Sequence, residues 1–430
     1  MSQPPSSQAP SDDQYQLDLN PMSVEAAAER MFEHAAQMNA SDLFLMSQED
    51  FVAIHVRHLG RVRKLGIVSA DKGRRLIQHV KVQSELDVAE HRRPQDGRFI
   101  HESDDESLGP IDIRVNSIPT LYGEDLSLRL LHRMSRKFGL EDLGMLRSQL
   151  GEARSLIDRP GGLVLCVGPA GAGKTTTLYS AIHRLHDGSL KINTIEDPVE
   201  YGIDGVRQSQ IDPAVGVGFA EMLRGVLRQS PDVIMVGEVR DEDTAQAAVR
   251  AASAGRLVLA SVHANVATAA VETILNFGVN PHFLATALRG VIAQRLVRTL
   301  DEQRRIEVDL DHHVEMFEPV RPILEDEPKL FAASGEGPND GFSGLTGVFE
   351  IFRVTPETRH LINEEADTSE LRRAAIRDGM IDFRRAALVK VARGETSLDE
   401  VFRVVPFDFL RADEESLEEA PTPPKAEAST

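Results

Sequence analysis

Residues Gly168, Pro169, Ala170, Gly171, Ala172, Gly173, Lys174 and Thr175 fit the pattern G-x-x-x-x-G-K-[ST]. In such a loop the glycines let backbone N–H groups curl around phosphate oxygens, the lysine reaches the β and γ phosphates, and the hydroxyl ligates magnesium. The apolar run Leu163-Val164-Leu165-Cys166-Val167 comes before it and the helix-compatible run from Thr176 to Ile182 comes after it. The order is strand, loop, helix, and the helix start adds the positive end of its dipole. Residues 168–176 are therefore a candidate phosphate cradle, with Lys174 on the phosphates and Thr175 on Mg2+. The implied chemistry is nucleotide hydrolysis.

Hydrolysis also needs a group that orients water and further metal ligation. Pro231-Asp232-Val233-Ile234-Met235-Val236-Gly237-Glu238 is an apolar strand with a carboxylate just past its carboxyl end, where open α/β sheets bind ligands. Glu238 is the favoured water-orienting residue. Glu196, held at a strand end by Pro198, is a second candidate for water or magnesium, and Asp232 joins Thr175 and Glu196 in the candidate metal set. Taken singly, each acid reads as a solvated loop residue; their spacing after the phosphate loop favours function. His263 ends the run Leu257 to Val262 and reads equally as a γ-phosphate sensor and as a structural histidine. Arg295 falls in a helix-like pattern, where an ion pair is the commoner outcome than a phosphate contact.

The elements that must position these groups divide along the chain. With 430 residues and 41% hydrophobic content, two or more domains with sizeable cores are expected. Residues 1–21 are rich in Ser, Pro, Gln and Asp and are expected to be disordered, as is the acidic, proline-bearing tail 411–430. Residues 22–135 read as an α+β domain. It has a helix from Ser23 to about Asn39, a hairpin turning at Gly60-Arg61, a helix from about Asp71 to Leu86, and strands near Arg98, Ile111 and Leu126. Residues 136–150 read as a linker. Residues 151–410 alternate helix and apolar strand, with helices expected over Asp241 to Ser253, Ala267 to Asn276 and Pro281 to Thr299, and an all-helical stretch from Pro356.

A formal charge of −20 disfavours a nucleic-acid motor. Cys166, the only cysteine, excludes an internal disulfide and reads as a small buried hydrophobe. No apolar run approaches the length of a membrane helix, and the start Met1-Ser2-Gln3-Pro4-Pro5 lacks signal-peptide features, so a cytoplasmic location is expected.

Four ordered boxes carry a family resemblance: residues 168–177, the run Thr194 to Tyr201, the run Pro231 to Asp241, and the stretch around His263. They resemble the Walker A, Asp, Walker B and His boxes of bacterial secretion ATPases of the GspE/PilB/PilT type, which serve type II secretion and type IV pili. The likeness continues through Gly290 to Leu296 and, upstream, Arg92 to Phe99, spanning about residues 40 to 405. It implies an α/β fold in which a RecA-like P-loop ATPase domain follows a smaller α+β, PAS-like domain. It also implies a homo-hexameric ATP-driven motor at the cytoplasmic face of the inner membrane, reaching the membrane only through platform partners and not binding nucleic acid directly. Arg114 and Arg129 match the arginines that the family presents to the γ-phosphate from the N-terminal domain; on their own they read as strand arginines in surface ion pairs.

Some positions depart from that pattern. Where many members carry paired Cys-x-x-Cys motifs, this chain has Glu302 to Arg305 and Gly335 to Pro338, so no zinc site is expected. The adjacent His312 and His313 lack matching ligands. Arg256 stands where a histidine is common, and Ala264 and Val266 replace polar residues, so altered coupling is expected. The N-terminal docking domain of many members is expected to be absent. The alternative reading is a catalytically degenerate relative that binds nucleotide as a regulatory or structural ring component.

Overall fold

The computed structural model describes residues 17–103, 105, 108–132, 138–212, 215–310, 314–337 and 339–405. The chain forms two compact units, one of residues 1–136 with 335–340 and the other of residues 137–334 with 341–430.

The first unit runs α1 (Val24–Gln37), β1 (Asp42–Ser47), β2 (Phe51–His58), β3 (Arg61–Ser69), α2 (Ala70–Gln83), β4 (Gln95–His101), β5 (Ile111–Thr120) and β6 (Gly123–His132). Its sheet has the order β3-β2-β1-β6-β5-β4 and is antiparallel throughout. Alternation decides its two faces. Ile111, Ile113 and Val115 on β5, with Leu126, Leu128 and Leu130 on β6, are buried with the apolar faces of α1 and α2. Arg114 and Arg129 fall between these residues and are directly paired across the two strands. Ser23 and Ser69 cap the two helices with their side chains.

Residues 17–21, expected to be disordered, are ordered. Leu17 N–H donates to Leu65 O at 2.8 Å, Leu19 is fully buried, and the Lys72 ammonium donates to Leu19 O at 2.6 Å. Leu17 and Leu19 supply the apolar surface that compositional reading gave too little weight. Residues 1–16 and the tail 406–430 lie outside the described residues, as do His312 and His313.

The second unit begins with α3 (Arg147–Ile157), β7 (Gly162–Val167), α4 (Lys174–Leu185), β8 (Ile192–Glu196), β9 (Arg207–Gln210), α5 (Phe219–Leu227), β10 (Val233–Val236), α6 (Glu242–Ser253) and β11 (Leu257–Val262). It continues with α7 (Ala269–Asn276), α8 (Pro281–Ala287), β12 (Leu288–Leu300), β13 (Ile306–Val308), α9 (Val314–Phe317), β14 (Leu330–Ala332), β15 (Phe342–Arg353), α10 (Pro356–Asn363), α11 (Thr368–Arg377), α12 (Phe383–Ala392) and α13 (Leu398–Val404). The main sheet has the order β15-β12-β7-β11-β10-β8-β9, parallel except for β15. Strands β7, β10 and β11 are buried at every residue, as a parallel sheet covered on both faces requires.

Two expectations for this unit change. Residues 281–299 are not one helix, because α8 stops at Ala287 and the chain continues as β12 between β7 and β15. A run buried at most positions shows no clear period and reads alike as helix or central strand, and the β-branched Val291, Ile292 and Val297 favour the strand. Residues 138–150 are no loose linker either. Leu140 and Leu146 are buried, and the Gln149 amide donates to Phe349 O at 2.8 Å.

A buried ion cluster closes the C-terminal helices. The Glu400 carboxylate accepts from Arg298 at 2.7 Å and from Arg403 at 2.6 Å, with the Arg298 and Glu400 side chains 5% and 0% exposed. Burial opposes ionisation, but the two guanidiniums and the Arg298 N–H outweigh it and bring the carboxyl to about 2. Its folded value lies below the unfolded one, so this stabilisation is present above the ordinary carboxylate range and is lost as pH falls toward 2. Glu400→Ala strands a buried guanidinium and is expected to destabilise the unit by about 3–5 kcal/mol in denaturant unfolding; a loss under about 1 kcal/mol would contradict the account.

Candidate active site

The phosphate loop lies between β7 and α4, at the carboxyl edge of the parallel strands. Helix α4 starts at Gly173 with φ +85° and no side-chain cap, leaving first-turn N–H donors for an anion. Gly168 has φ +152°, and a Cβ there would meet Gln294 O at 2.5 Å, so only glycine fits this close crossing of β12. The Gln294 amide in turn donates to Ala172 O at 2.6 Å, and Thr177 Oγ1 donates to its carbonyl at 2.7 Å. Lys174 Nζ donates to Gly168 O at 2.8 Å and Pro169 O at 3.1 Å. Burial lowers its pKa, and Glu238 opposes that shift. Beneath the loop, burial pushes the Cys166 thiol up to about 12, which makes it a buried apolar side chain and no nucleophile.

Glu238 follows β10 and His263 follows β11, and the parallel register of these two strands brings their ends side by side. Glu238 Oε1 lies 2.8 Å from His263 Nε2, and Oε2 lies 2.6 Å from an Arg240 guanidinium nitrogen. Arg240 also reaches Asp197 at 3.5 Å. Burial acts to raise the Glu238 pKa, but Arg240, His263 and Lys174 outweigh it and hold the carboxyl below its ordinary range. The Gly237 carbonyl accepts from Ser261 at 2.6 Å and its N–H donates to Ile195 O at 2.8 Å, so the turn carrying Glu238 is tied to β8 and β11.

Glu196 ends β8 and is 2% exposed. Its carboxylate accepts from the Tyr179 hydroxyl, from Thr194 Oγ1 and from the Gln208 amide at 3.2 Å. Burial and the nearby Glu196 carboxylate push the Tyr179 hydroxyl up, keeping it a donor. Neighbouring Asp197, joined to Pro198 by a cis peptide, is the acid of this turn that faces Arg240.

Asp232 is misplaced for the metal role expected of it. It precedes β10, accepts from the Lys191 N–H at 2.8 Å, and lines a cleft of about 530 Å³ with Arg159, Pro160, Leu190 and Arg256. That cleft lies at the amino edge of the strands, and the four residues of β10 set Asp232 about 13 Å from the edge carrying Glu238. Arg256 stands at the same far edge, away from His263 at the other end of β11. Arg295 belongs to β12 and not to a helix; it is 6% exposed and donates to Asn265 O at 3.1 Å.

In the first unit, Arg114 and Arg129 line a depression of about 260 Å³ with Asp42, Asp96 and Asn116. Arg129 is held at 3.4 Å from Asp42. Sequence reading missed Arg240, Tyr179, Gln208 and the anchoring of the loop by Gln294. The i, i+2 spacing of Glu238 and Arg240 was the available signal for the first.

The loop fits a nucleotide's phosphates on these observations: positive-φ glycines, uncapped N–H donors at a helix start, and a lysine amine within the loop. Thr175, exposed in the first turn of α4, fits a magnesium ion at the same place.

The family model described as Type II/IV secretion system protein matches residues 18–403. The type II secretion system protein HxcR of Pseudomonas aeruginosa is 39% identical over 370 residues, covering 86% of this chain and 75% of its own length. The type II secretion system ATPase E of Vibrio cholerae is 38% identical over 380 residues, with 87% and 74% covered. The type IV pilus assembly ATPase PilB of Acinetobacter baylyi is 38% identical over 373 residues, with 86% and 64% covered. Among solved structures, the ATPase DotB of Legionella pneumophila matches with a TM-score of 0.66 at 22% identity, over 88% of this chain and 95% of its own. The pilus retraction motor PilT with bound ADP matches with a TM-score of 0.58 at 22% identity, over 91% and 98%. These two likenesses concern the fold alone, an α/β unit with a mostly parallel sheet following a smaller α+β unit. On the family match and the extent of identity to HxcR and ATPase E, the chain belongs to the Type II/IV secretion system protein family.

Proposed function

We propose that this chain is an ATP-hydrolysing, homo-hexameric motor of a type II secretion or type IV pilus assembly machine. It would work at the cytoplasmic face of the inner membrane, reaching the membrane through platform partners. The observation that carries the chemistry is the convergence of Lys174, Glu238 and His263 at one edge of one sheet. Relatives named as ATPases of these two machines support the machine class. Among the described residues, no helix is long and apolar enough to cross a membrane.

Bound magnesium would supply charge neutralisation on the transferred phosphoryl group. Lys174 and the α4 N–H groups hold the phosphates, and Thr175 Oγ1 holds the metal. Glu238 accepts a hydrogen bond from the attacking water. Each carboxylate oxygen has two acceptor sites and Glu238 spends one on Arg240 and one on His263, so a water can bond to it beside them. Glu196, with both oxygens already bonded, contributes by fixing the turn that presents Asp197 to Arg240. From the other unit, Arg114 and Arg129 are proposed as the family's γ-phosphate arginines.

Arg240→Ala removes a positive charge from beside Glu238 and so raises the pKa of its carboxyl. Because the ionised form orients water, the acidic limb of the kcat–pH profile is expected to move to higher pH. A limb that stays in place or moves down would remove Arg240 from this role.

The test of the motor reading is steady-state ATP hydrolysis at several protein concentrations, with Arg114→Ala alongside. Turnover per chain that rises with concentration and falls in the variant supports an assembled motor. The second reading, a nucleotide-binding ring component without useful turnover, is favoured by the altered His box, where Arg256, Ala264 and Val266 depart from the family pattern. Nucleotide binding with no turnover at any concentration would select it.

A further inference from the structure

Glu350, on β15, has a fully buried carboxylate. Its Oε1 accepts from the Ala267 N–H at 2.8 Å, and its Oε2 accepts from Arg372 of α11 at 3.0 Å and from the Phe383 N–H of α12 at 3.3 Å. Arg372 also reaches Asp382, the N-cap of α12, at 3.4 Å. On neighbouring β12, Arg295 donates to Asn265 O at 3.1 Å, and its guanidinium carbon lies 5.6 Å from the Phe383 ring centroid. Two backbone groups of the segment following His263, a carbonyl and an N–H, are thus held by charges buried in the sheet. Val266, Ala267 and Thr268 are buried around them.

A buried ion pair of this kind adds little stability compared with apolar side chains of the same shape, because desolvation offsets the attraction. What it supplies here is direction. The strand β11 fixes residue 262, Arg295 holds the carbonyl of residue 265 and Glu350 the N–H of residue 267, and His263 is suspended between them with its ring on Glu238. We propose that Glu350 is a positioning residue for hydrolysis. Together with Arg295 it holds the segment 264–268, and hence the His263 ring, in register with Glu238, while Arg372 and Phe383 tie that segment to the C-terminal helices. The inference rests on the hydrolysis reading above and deepens it, since neither Glu350 nor Arg295 reaches the phosphate loop's own contacts.

The test is a double-mutant cycle on the full chain with Glu350→Gln and His263→Ala, reading kcat, KM for ATP and thermal unfolding. Glu350→Gln is expected to lower kcat about tenfold, the scale of a small displacement at a catalytic group, with KM within about twofold. In the His263→Ala background the same change is expected to have no further effect on kcat, because the ring it positions is gone. A merely structural role would lower stability and leave the two losses multiplying. Should Glu350→Gln fail to fold, Arg295→Met carries the same cycle, freeing Asn265 O while keeping an apolar stem. Losses that multiply, or a variant that turns over like the unsubstituted protein, overturn the inference alone. Absence of turnover in the unsubstituted protein overturns the hydrolysis reading, and this inference with it.

Discussion

Glu238→Gln is expected to lower kcat by roughly 10²–10⁴, the range for a positioned acid–base group, while nucleotide affinity stays within about threefold. The amide keeps the shape of the carboxylate and a single acceptor, but it loses the charge that draws Arg240, His263 and water. Binding is expected to survive because the phosphates are held elsewhere, by Lys174 and the start of α4, and neither depends on Glu238 for its position. Steady-state kinetics beside a fluorescent-nucleotide titration separates the two quantities. Normal turnover in the variant would remove Glu238 from the water-orienting role, and Glu196, 2% exposed and already accepting from Tyr179, Thr194 and Gln208, is poorly placed to inherit it.

The parts of this site that were legible in the sequence share one property: local order along the chain determines them. Strand, glycine loop, lysine and helix follow one another without interruption, and Glu238 and His263 each come directly after an apolar strand. Asp232 shows where that logic needs a direction. It adjoins the same strand as Glu238, but at the amino end, and in a parallel sheet the two ends belong to different surfaces. The order of residues already contained this distinction. Strand β12 was hidden for another reason, because burial on both faces erases the period of two that marks a strand. Glu350 lies beyond any local signal. Its partners stand 83 residues before it and 22 and 33 residues after it in the chain, so only the fold brings them together. The same holds for Gln294, which meets the phosphate loop across 122 residues.

Lys174→Ala provides the complementary prediction, because it removes a group that acts in both binding and chemistry. A charge-assisted contact to phosphate contributes about 1.5–3 kcal/mol, so nucleotide affinity is expected to fall roughly 10- to 150-fold. The same ammonium faces the charge that develops as the γ-phosphoryl group leaves, and loss of one such preorganised donor lowers kcat by about 10²–10³. The expected fall in kcat/KM is therefore about 10³–10⁵, larger than either effect alone and divided between its two components. The backbone should tolerate the change. Among the described residues the amine bonds only to the carbonyls of Gly168 and Pro169, and Gly173 rather than Lys174 sets the start of α4. Unfolding that stays near that of the unsubstituted protein, together with loss of both affinity and turnover, would place Lys174 on the phosphates. An unchanged nucleotide affinity would show that the amine stays on its own loop when nucleotide binds, and the hydrolysis assignment would then rest on Glu238 alone.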